Sequence, residues 1–320
     1  MIGHEEISFV VQGAFTDPAR TAEALRSIRL HFPGSELILS TWEGTETAGL
    51  EFDELVLSAD PGPIEAERPI KRNINRLITN TSAGLARATR PYAVKSRHDV
   101  IFRSGAMTRE IGLHCLDAHP DSLFERKILQ SHIQIGYPFQ QCFFHCSDTV
   151  LGGSTDDLRK FFNVPHATSA EMVGLVSEQY LLTRNLAEQD AAWIIPKLHP
   201  TAPITISKAD YLALGRRSGE TIAKSSHTLP APTLGLDFTE RLKYQLSPDA
   251  EKALATLKDP AEVALSPEYS EESLMRNWRL ESGVARIAKA RGSLRKPLLK
   301  LRMSTLKRLG KARSPHTMTL

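Results

Sequence analysis

Five consecutive residues, Lys95-Ser96-Arg97-His98-Asp99, carry the densest chemistry in the chain. They follow Tyr92-Ala93-Val94, so the backbone enters them as a strand leaving an apolar core. Side chains of an extended chain alternate with period two, which puts Lys95, Arg97 and Asp99 on one face. Two cations beside one carboxylate make a seat for a diphosphate. The carboxylate could hold a hard divalent cation that bridges phosphate oxygens. The plainer alternative is a charge cluster that solvates a strand end. Three other segments have the polar, Gly-rich or aromatic character of a site built on loops: Gln12-Gly13, Ser40-Thr41-Trp42-Glu43-Gly44 and Asp60-Pro61-Gly62.

Each of these segments ends an apolar run. Ile7–Val11, Glu36–Thr41, Glu54–Ser58 and Tyr92–Ser96 read as four strands. Helices fall between them. Asp17-Pro18 is a helix start, with Asp as N-cap and Pro at the first helical position; Leu25, Ile28 and Phe32 recur on one face, and Pro33-Gly34 ends the helix. Ile74, Leu77, Ile78, Thr81 and Leu85 mark a second helix over residues 71–88. Alternating strands and helices predict an α/β fold: a mostly parallel, Rossmann-like sheet with helices on both faces. In such sheets ligands bind outside the carboxyl ends of the strands, where the polar segments lie.

The rest of the chain is less regular. Residues 101–150 mix short apolar pieces with His, Cys and aromatic residues. Ser154-Thr155-Asp156-Asp157 reads as a helix cap before Leu158, Phe161 and Phe162, and another helix begins near Ser177 with Leu181, Leu182 and Leu186 inward. Residues 196–235, rich in Pro, Ser and Thr, read as loops, and residues 239–281 as two or three helical pieces. Cys142-x3-Cys146 with His132 and His145 invites a zinc reading, but there is no second cysteine pair, and small buried cysteines explain it more simply. No P-loop and no G-x-S-x-G elbow supports a kinase or serine-hydrolase reading.

Several of these runs together resemble the WavE family of lipopolysaccharide-synthesis proteins: Ile7-Ser8-Phe9-Val10-Val11-Gln12-Gly13, Phe32-Pro33-Gly34, Leu39-Ser40-Thr41-Trp42-Glu43-Gly44, Asp60-Pro61-Gly62, Asn73-Ile74-Asn75-Arg76, Gly84-Leu85 and Lys95-Ser96-Arg97-His98-Asp99. The resemblance covers about residues 7–190. It implies a GT-A-like glycosyltransferase that uses a nucleotide-sugar donor and a lipopolysaccharide-core or lipid-linked oligosaccharide acceptor. It places Gln12 and Gly13 near the nucleotide base, with Gly13 allowing close backbone approach, and Asn75 and Arg76 at the ribose or diphosphate. Trp42 belongs to the same nucleotide-sugar site. Asp99 falls where such enzymes keep the last carboxylate of an Asp-x-Asp metal motif, but Arg97 fills the first Asp position. Mn or Mg and metal-independent transfer both stay open, with Lys95 and Arg97 able to stabilise the leaving group electrostatically. Phe144-His145-Cys146-Ser147-Asp148 resembles an acceptor-side loop in which Asp148 or His145 binds sugar hydroxyls or a metal; a satisfied core histidine is the alternative for His145. Glu178 matches a family Glu-Gln pair and could be the general base. Its alternative is to complement the dipole of a helix first turn.

Composition sets the outer bounds. With 320 residues, 41% hydrophobic and 24% charged, the chain can bury a large core, which excludes a disordered chain, a disulfide miniprotein and a collagen-like fibre. No apolar run approaches the roughly 20 residues of a membrane span. The N-terminus does not read as a secretory signal, and three cysteines suit a reducing compartment. Eleven Lys and Arg and no acid follow Glu281. With leucines 294, 298, 301 and 309 interleaved, this tail suits a helix on an anionic membrane surface. Nucleic acid is the competing partner, disfavoured because no Phe, Tyr or Trp follows Trp278 to stack on bases. The expected organisation is a catalytic domain over residues 1–200, a loop-rich and helical extension over 201–281, and a basic tail over 282–320. The expected place is the cytoplasmic side of an inner membrane, peripherally bound. The rival readings are a non-catalytic scaffold of a glycan-assembly complex and a polyanion-binding protein.

Overall fold

The computed structural model describes residues 2–15, 17–64, 73–132, 143–172, 175–198, 206–237, 274–275 and 278–279. A seven-stranded sheet organises them. Its strands are β1 (Ile7–Gln12), β2 (Glu36–Trp42), β3 (Glu54–Ser58), β4 (Tyr92–Arg97), β6 (Ile128–His132), β7 (Leu151–Ser154) and β8 (Ser226–Pro230), in the order β3-β2-β1-β4-β7-β6-β8. The pairs β3–β2, β2–β1, β1–β4 and β6–β8 are parallel, whereas β7 runs antiparallel to both neighbours. Two short strands, β5 (Ile101–Phe102) and β9 (Leu236–Asp237), form a separate antiparallel pair. This is an α/β fold with a mostly parallel sheet, as the alternating pattern predicts.

The period-two alternation of β1 builds two cores. Phe9 and Val11 face α1 (Pro18–His31) and α3 (Ala106–His114), packing with Leu25, Ile28, Phe32, Met107 and Ile111. Val10 faces α2 (Ile74–Arg87) and α4 (Thr155–Phe162), packing with Ile74, Ile78, Leu85, Leu158 and Phe161. Phe9, Phe32 and Phe102 meet in edge-on and tilted contacts with centroids 4.6–5.4 Å apart, which anchors α1 to the sheet. The helix starts follow from their caps. The Asp17 carboxylate accepts from the Arg20 amide at 3.0 Å, and Ser154 Oγ accepts from the Asp157 amide at 3.5 Å.

The chain departs from expectation beyond residue 200. The loops expected over 196–235 instead hold α7 (Lys208–Ser225) and β8, after α5 (Ser177–Arg184) and α6 (Glu188–Ile194). Strand β8 is an edge strand of the main sheet, so the sheet draws its last strand from this region. Most of the expected helical pieces over 239–281, and the basic tail over 282–320, lie outside the described residues. Among the described residues no helix is long and apolar enough to cross a membrane.

Candidate nucleotide-sugar site

Strand β1 lies between β2 and β4, and the chain crosses from the β2–β3 side to β4 through α2. The carboxyl ends of β1 and β4 therefore diverge at a topological switch point, where a crevice must open. A cleft of about 280 Å³ occupies that place. Gln12, Gly13 and Ala14 line it from the end of β1, Trp42 from β2, Lys95, Arg97 and His98 from β4, Asn73, Arg76 and Leu77 from the start of α2, and Asp148 and Ser177 from the far wall. Seven of the residues expected at the site meet here: Gln12, Gly13, Trp42, Arg76, Lys95, Arg97 and Asp148.

Lys95 forms the floor. Its side chain is wholly buried on the α2–α4 face of β4. Its Nζ donates to the backbone carbonyl of Asp148 and lies 6.0 Å from the Phe162 ring centroid. Burial lowers its pKa to about 8, against the pull of the Asp148, Glu178 and Asp99 carboxylates. Arg76 stands at the rim. Its Nε donates to Asp60 Oδ1 at 2.7 Å, and a second guanidinium nitrogen reaches Asn73 Oδ1 at 3.3 Å. The guanidinium hydrogen bonds hold the Asp60 carboxyl below the usual carboxylate range. Thus the Asp-Pro-Gly turn after β3 serves to aim Arg76.

A second acid stands close to Asp148 of the far wall. Glu178 sits in the first turn of α5, next in sequence to Ser177. Burial and the nearby Asp148 carboxylate push its pKa up to about 8, and Lys95 opposes the shift. Glu178 Oε1 is 3.7 Å from His145 Nε2. Burial lowers the His145 pKa to about 4, and His145 does not line the cleft. Hydrogen bonds fix this wall. Gln179 Nε2 donates to the Phe143 carbonyl at 2.9 Å, and the Ser147 amide donates to Gln130 Oε1 at 2.7 Å. Phe144, fully buried, takes a left-handed φ of 58° between them. Backbone strain of this kind persists where surrounding structure dictates it, often beside a functional group.

Four of the expected residues, Asn75, Asp99, His145 and Glu178, are not among those that line the cleft. Asn75 does not line the cleft. Its Nδ2 donates to the Ala167 carbonyl at 3.0 Å and its Oδ1 accepts from the Ala167 amide at 2.7 Å, a clamp that ties α2 to the segment after α4. Asn73, two residues earlier, lines the cleft instead. Gly13 permits close approach, but to protein: at φ 148° it lies against the His98 ring, where a Cβ would overlap Cδ2. Asp99 follows the end of β4, in a turn. Both of its oxygens are engaged by the Arg97 guanidinium, at 2.9 and 2.7 Å. A carboxylate already held bidentately by a guanidinium does not suit a divalent cation. Among the described residues no three His, Cys, Asp or Glu side chains gather as a ligand set. As arranged here, Asp99 is committed to Arg97 rather than presented alone to a divalent cation. Cys142 and the His132 side chain lie outside what is described, while Cys115 and Cys146 are buried free thiols whose pKa burial raises.

Among the polar lining residues, sequence reasoning missed Asn73, His98 and Ser177. All three stood inside segments already singled out: Asn73-Ile74-Asn75-Arg76, the run 95–99, and Ser177-Glu178-Gln179-Tyr180. Only the rotation of each helix or turn decides which neighbour faces the cleft. A comparison with curated proteins finds no match. A family model described as WavE lipopolysaccharide synthesis matches residues 7–291, and the chain belongs to that family, with a role in lipopolysaccharide biosynthesis.

Proposed function

We propose that the protein is a glycosyltransferase that moves a sugar from a nucleotide-sugar donor to a lipopolysaccharide-core or other surface-glycan acceptor. The observation that carries this reading is the cleft at the β1/β4 switch point, lined by Lys95, Arg97 and Arg76 and by Asp148, with Glu178 next to the lining residue Ser177 and electrostatically close to Asp148. Fixed cations suit the diphosphate of the donor. The acid pair suits an incoming hydroxyl.

In the proposed reaction the acceptor oxygen attacks the anomeric carbon while the bond from that carbon to the diphosphate oxygen breaks. Glu178 takes the hydroxyl proton as general base. The departing diphosphate gathers negative charge, which Lys95, Arg76 and Arg97 stabilise in place. A buried Lys95 is worth more here than a solvated lysine, because the low-dielectric floor screens its charge less. No step is assigned to a metal ion. Membrane attachment through residues 282–320 accords with a lipid-linked acceptor and belongs to the same proposal.

The test is transfer from radiolabelled UDP-, GDP- and CMP-sugars to purified core oligosaccharide, with wild type, Lys95→Met and Glu178→Gln. Transfer by wild type alone supports the reading. No transfer from any donor, with nucleotide binding intact, favours the non-catalytic scaffold, and no nucleotide binding removes the reading altogether.

A further inference from the structure

The imidazole of His98 is fixed on every side but one. Its backbone amide donates to the Gln12 carbonyl at 3.1 Å. Its Cδ2 edge lies on Gly13, and Phe15, at a left-handed φ of 43°, meets the ring edge-on with centroids 5.4 Å apart. Its Nδ1 lies 3.2 Å from Thr21 Oγ1. The Thr21 hydroxyl has one proton, and it donates that proton to the Asp17 carbonyl at 3.0 Å. Toward His98 it can only accept. The proton between them must then sit on Nδ1, and the neutral ring keeps its lone pair on Nε2. Nε2 has no hydrogen-bond partner among the described residues, and His98 lines the cleft.

We infer that His98 is a specificity-determining residue of the cleft, locked as the Nδ1–H tautomer so that Nε2 accepts a hydrogen bond from an N–H or O–H of the donor's nucleoside. The inference rests on the nucleotide-sugar reading of the site and adds to it a direction. An acceptor lone pair repels phosphate oxygens, so the nucleoside lies toward His98 and Gln12, and the diphosphate toward Lys95 and Arg76. The shared chemistry is a hydrogen-bond donor, which either the base or the ribose can supply. Thr21 acts through His98 and is a positioning residue.

Two measurements test this, and the first needs no ligand. Long-range proton–nitrogen spectra of the full chain, labelled with 15N at histidine, should give His98 a protonated Nδ1 and a bare Nε2. Thr21→Val should disturb that pattern and Thr21→Ser restore it. A protonated Nε2 in the wild type overturns the inference. The second is calorimetric titration with UDP, GDP and CDP, then with the 2′-deoxy, 3′-deoxy and base N-methylated analogues of the tightest binder. One analogue should lose about tenfold in affinity, the cost of leaving an acceptor unpaired once the nucleoside covers it. That loss should vanish in His98→Phe, whose ring keeps the contacts with Gly13 and Phe15 but offers no lone pair. Equal affinities for all analogues overturn the inference and leave the nucleotide reading standing. No binding by any diphosphate overturns the nucleotide reading and the ligand half of this inference, while the spectra still report the tautomer.

Discussion

Replacing Glu178 by Gln should make the protein more stable while it abolishes transfer. Glu178 has an ordinary carboxyl pKa of 4.5 when unfolded and about 8 in the fold. Between those values the native state holds a proton that the unfolded state has released, so stability must fall as pH rises. The slope for one proton is about 1.4 kcal/mol per pH unit. From about pH 5 to pH 7 the wild type therefore loses up to ~3 kcal/mol through this group alone, less whatever the coupling to Asp148 and Lys95 absorbs. Gln is nearly isosteric and does not titrate, so Glu178→Gln lacks this loss. The assay is urea unfolding of both proteins at about pH 5 and pH 7. The difference between their midpoint-derived stabilities should grow by about 1–3 kcal/mol in favour of the variant, other groups cancelling in the comparison. A constant difference across that range would mean that Glu178 is ionised like a surface carboxylate, and the account of the buried acid pair would fail.

Other consequences follow from the same geometry. Transfer needs Glu178 deprotonated and Lys95 protonated, both with pKa about 8, so the rate should climb from about pH 6 to a maximum near pH 8 and fall above it, and the absence of the climbing limb would rule Glu178 out as the base. Asn75→Ala should cost about 1–3 kcal/mol in stability, because the Ala167 amide and carbonyl lose their partners, with little change in nucleotide affinity; a large affinity loss with unchanged stability would return Asn75 to the cleft. Gly13→Ala should destabilise by about 1–3 kcal/mol through its positive φ and the clash with His98, and part of this should be recovered in Gly13→Ala with His98→Ala. Asp60→Asn should weaken donor binding a few-fold, about the worth of a partly exposed ion pair that aims Arg76, and an unchanged Kd would detach Arg76 from the ligand.

Much of this arrangement was legible in the sequence, for physical reasons that differ along the chain. Strand β1 is parallel to both of its neighbours and β4 is parallel to β1, and both strands are buried, so Ile7–Val11 and Tyr92–Val94 read as apolar runs. Strand β7 did not read as one, because Leu151-Gly152-Gly153-Ser154 has no β-branched residue. Its glycines answer to packing: a Cβ on Gly152 would come within 2.9 Å of Ile111 and Met107. Helix α7 was hidden by the Pro, Ser and Thr around it that made residues 196–235 read as loops, and its Gly215 lies against Leu274, a contact distant in sequence. The cleft was legible as strand ends, since Gln12, Trp42, Lys95 and Arg97 close buried strands and line it together. Which of Asn73 and Asn75 faces the cleft was not, because both sit in the first turn region of α2 and only the Ala167 backbone decides between them. Nor was the pairing of Arg97 with Asp99 foreseen, though the period-two alternation had placed them together.

The most direct test of the central claim is a thermal-shift measurement with UDP, GDP, CDP, CMP and their sugars, in EDTA and in Mn²⁺, on wild type and Lys95→Met. A ligand at 100 times its dissociation constant adds roughly 2.7 kcal/mol. The account predicts that one nucleotide class raises the wild-type melting temperature by several degrees in EDTA as in Mn²⁺, and that Lys95→Met loses most of that shift. Shifts that require Mn²⁺, or that survive unchanged without Lys95, would contradict a cleft that seats the diphosphate on its own cations.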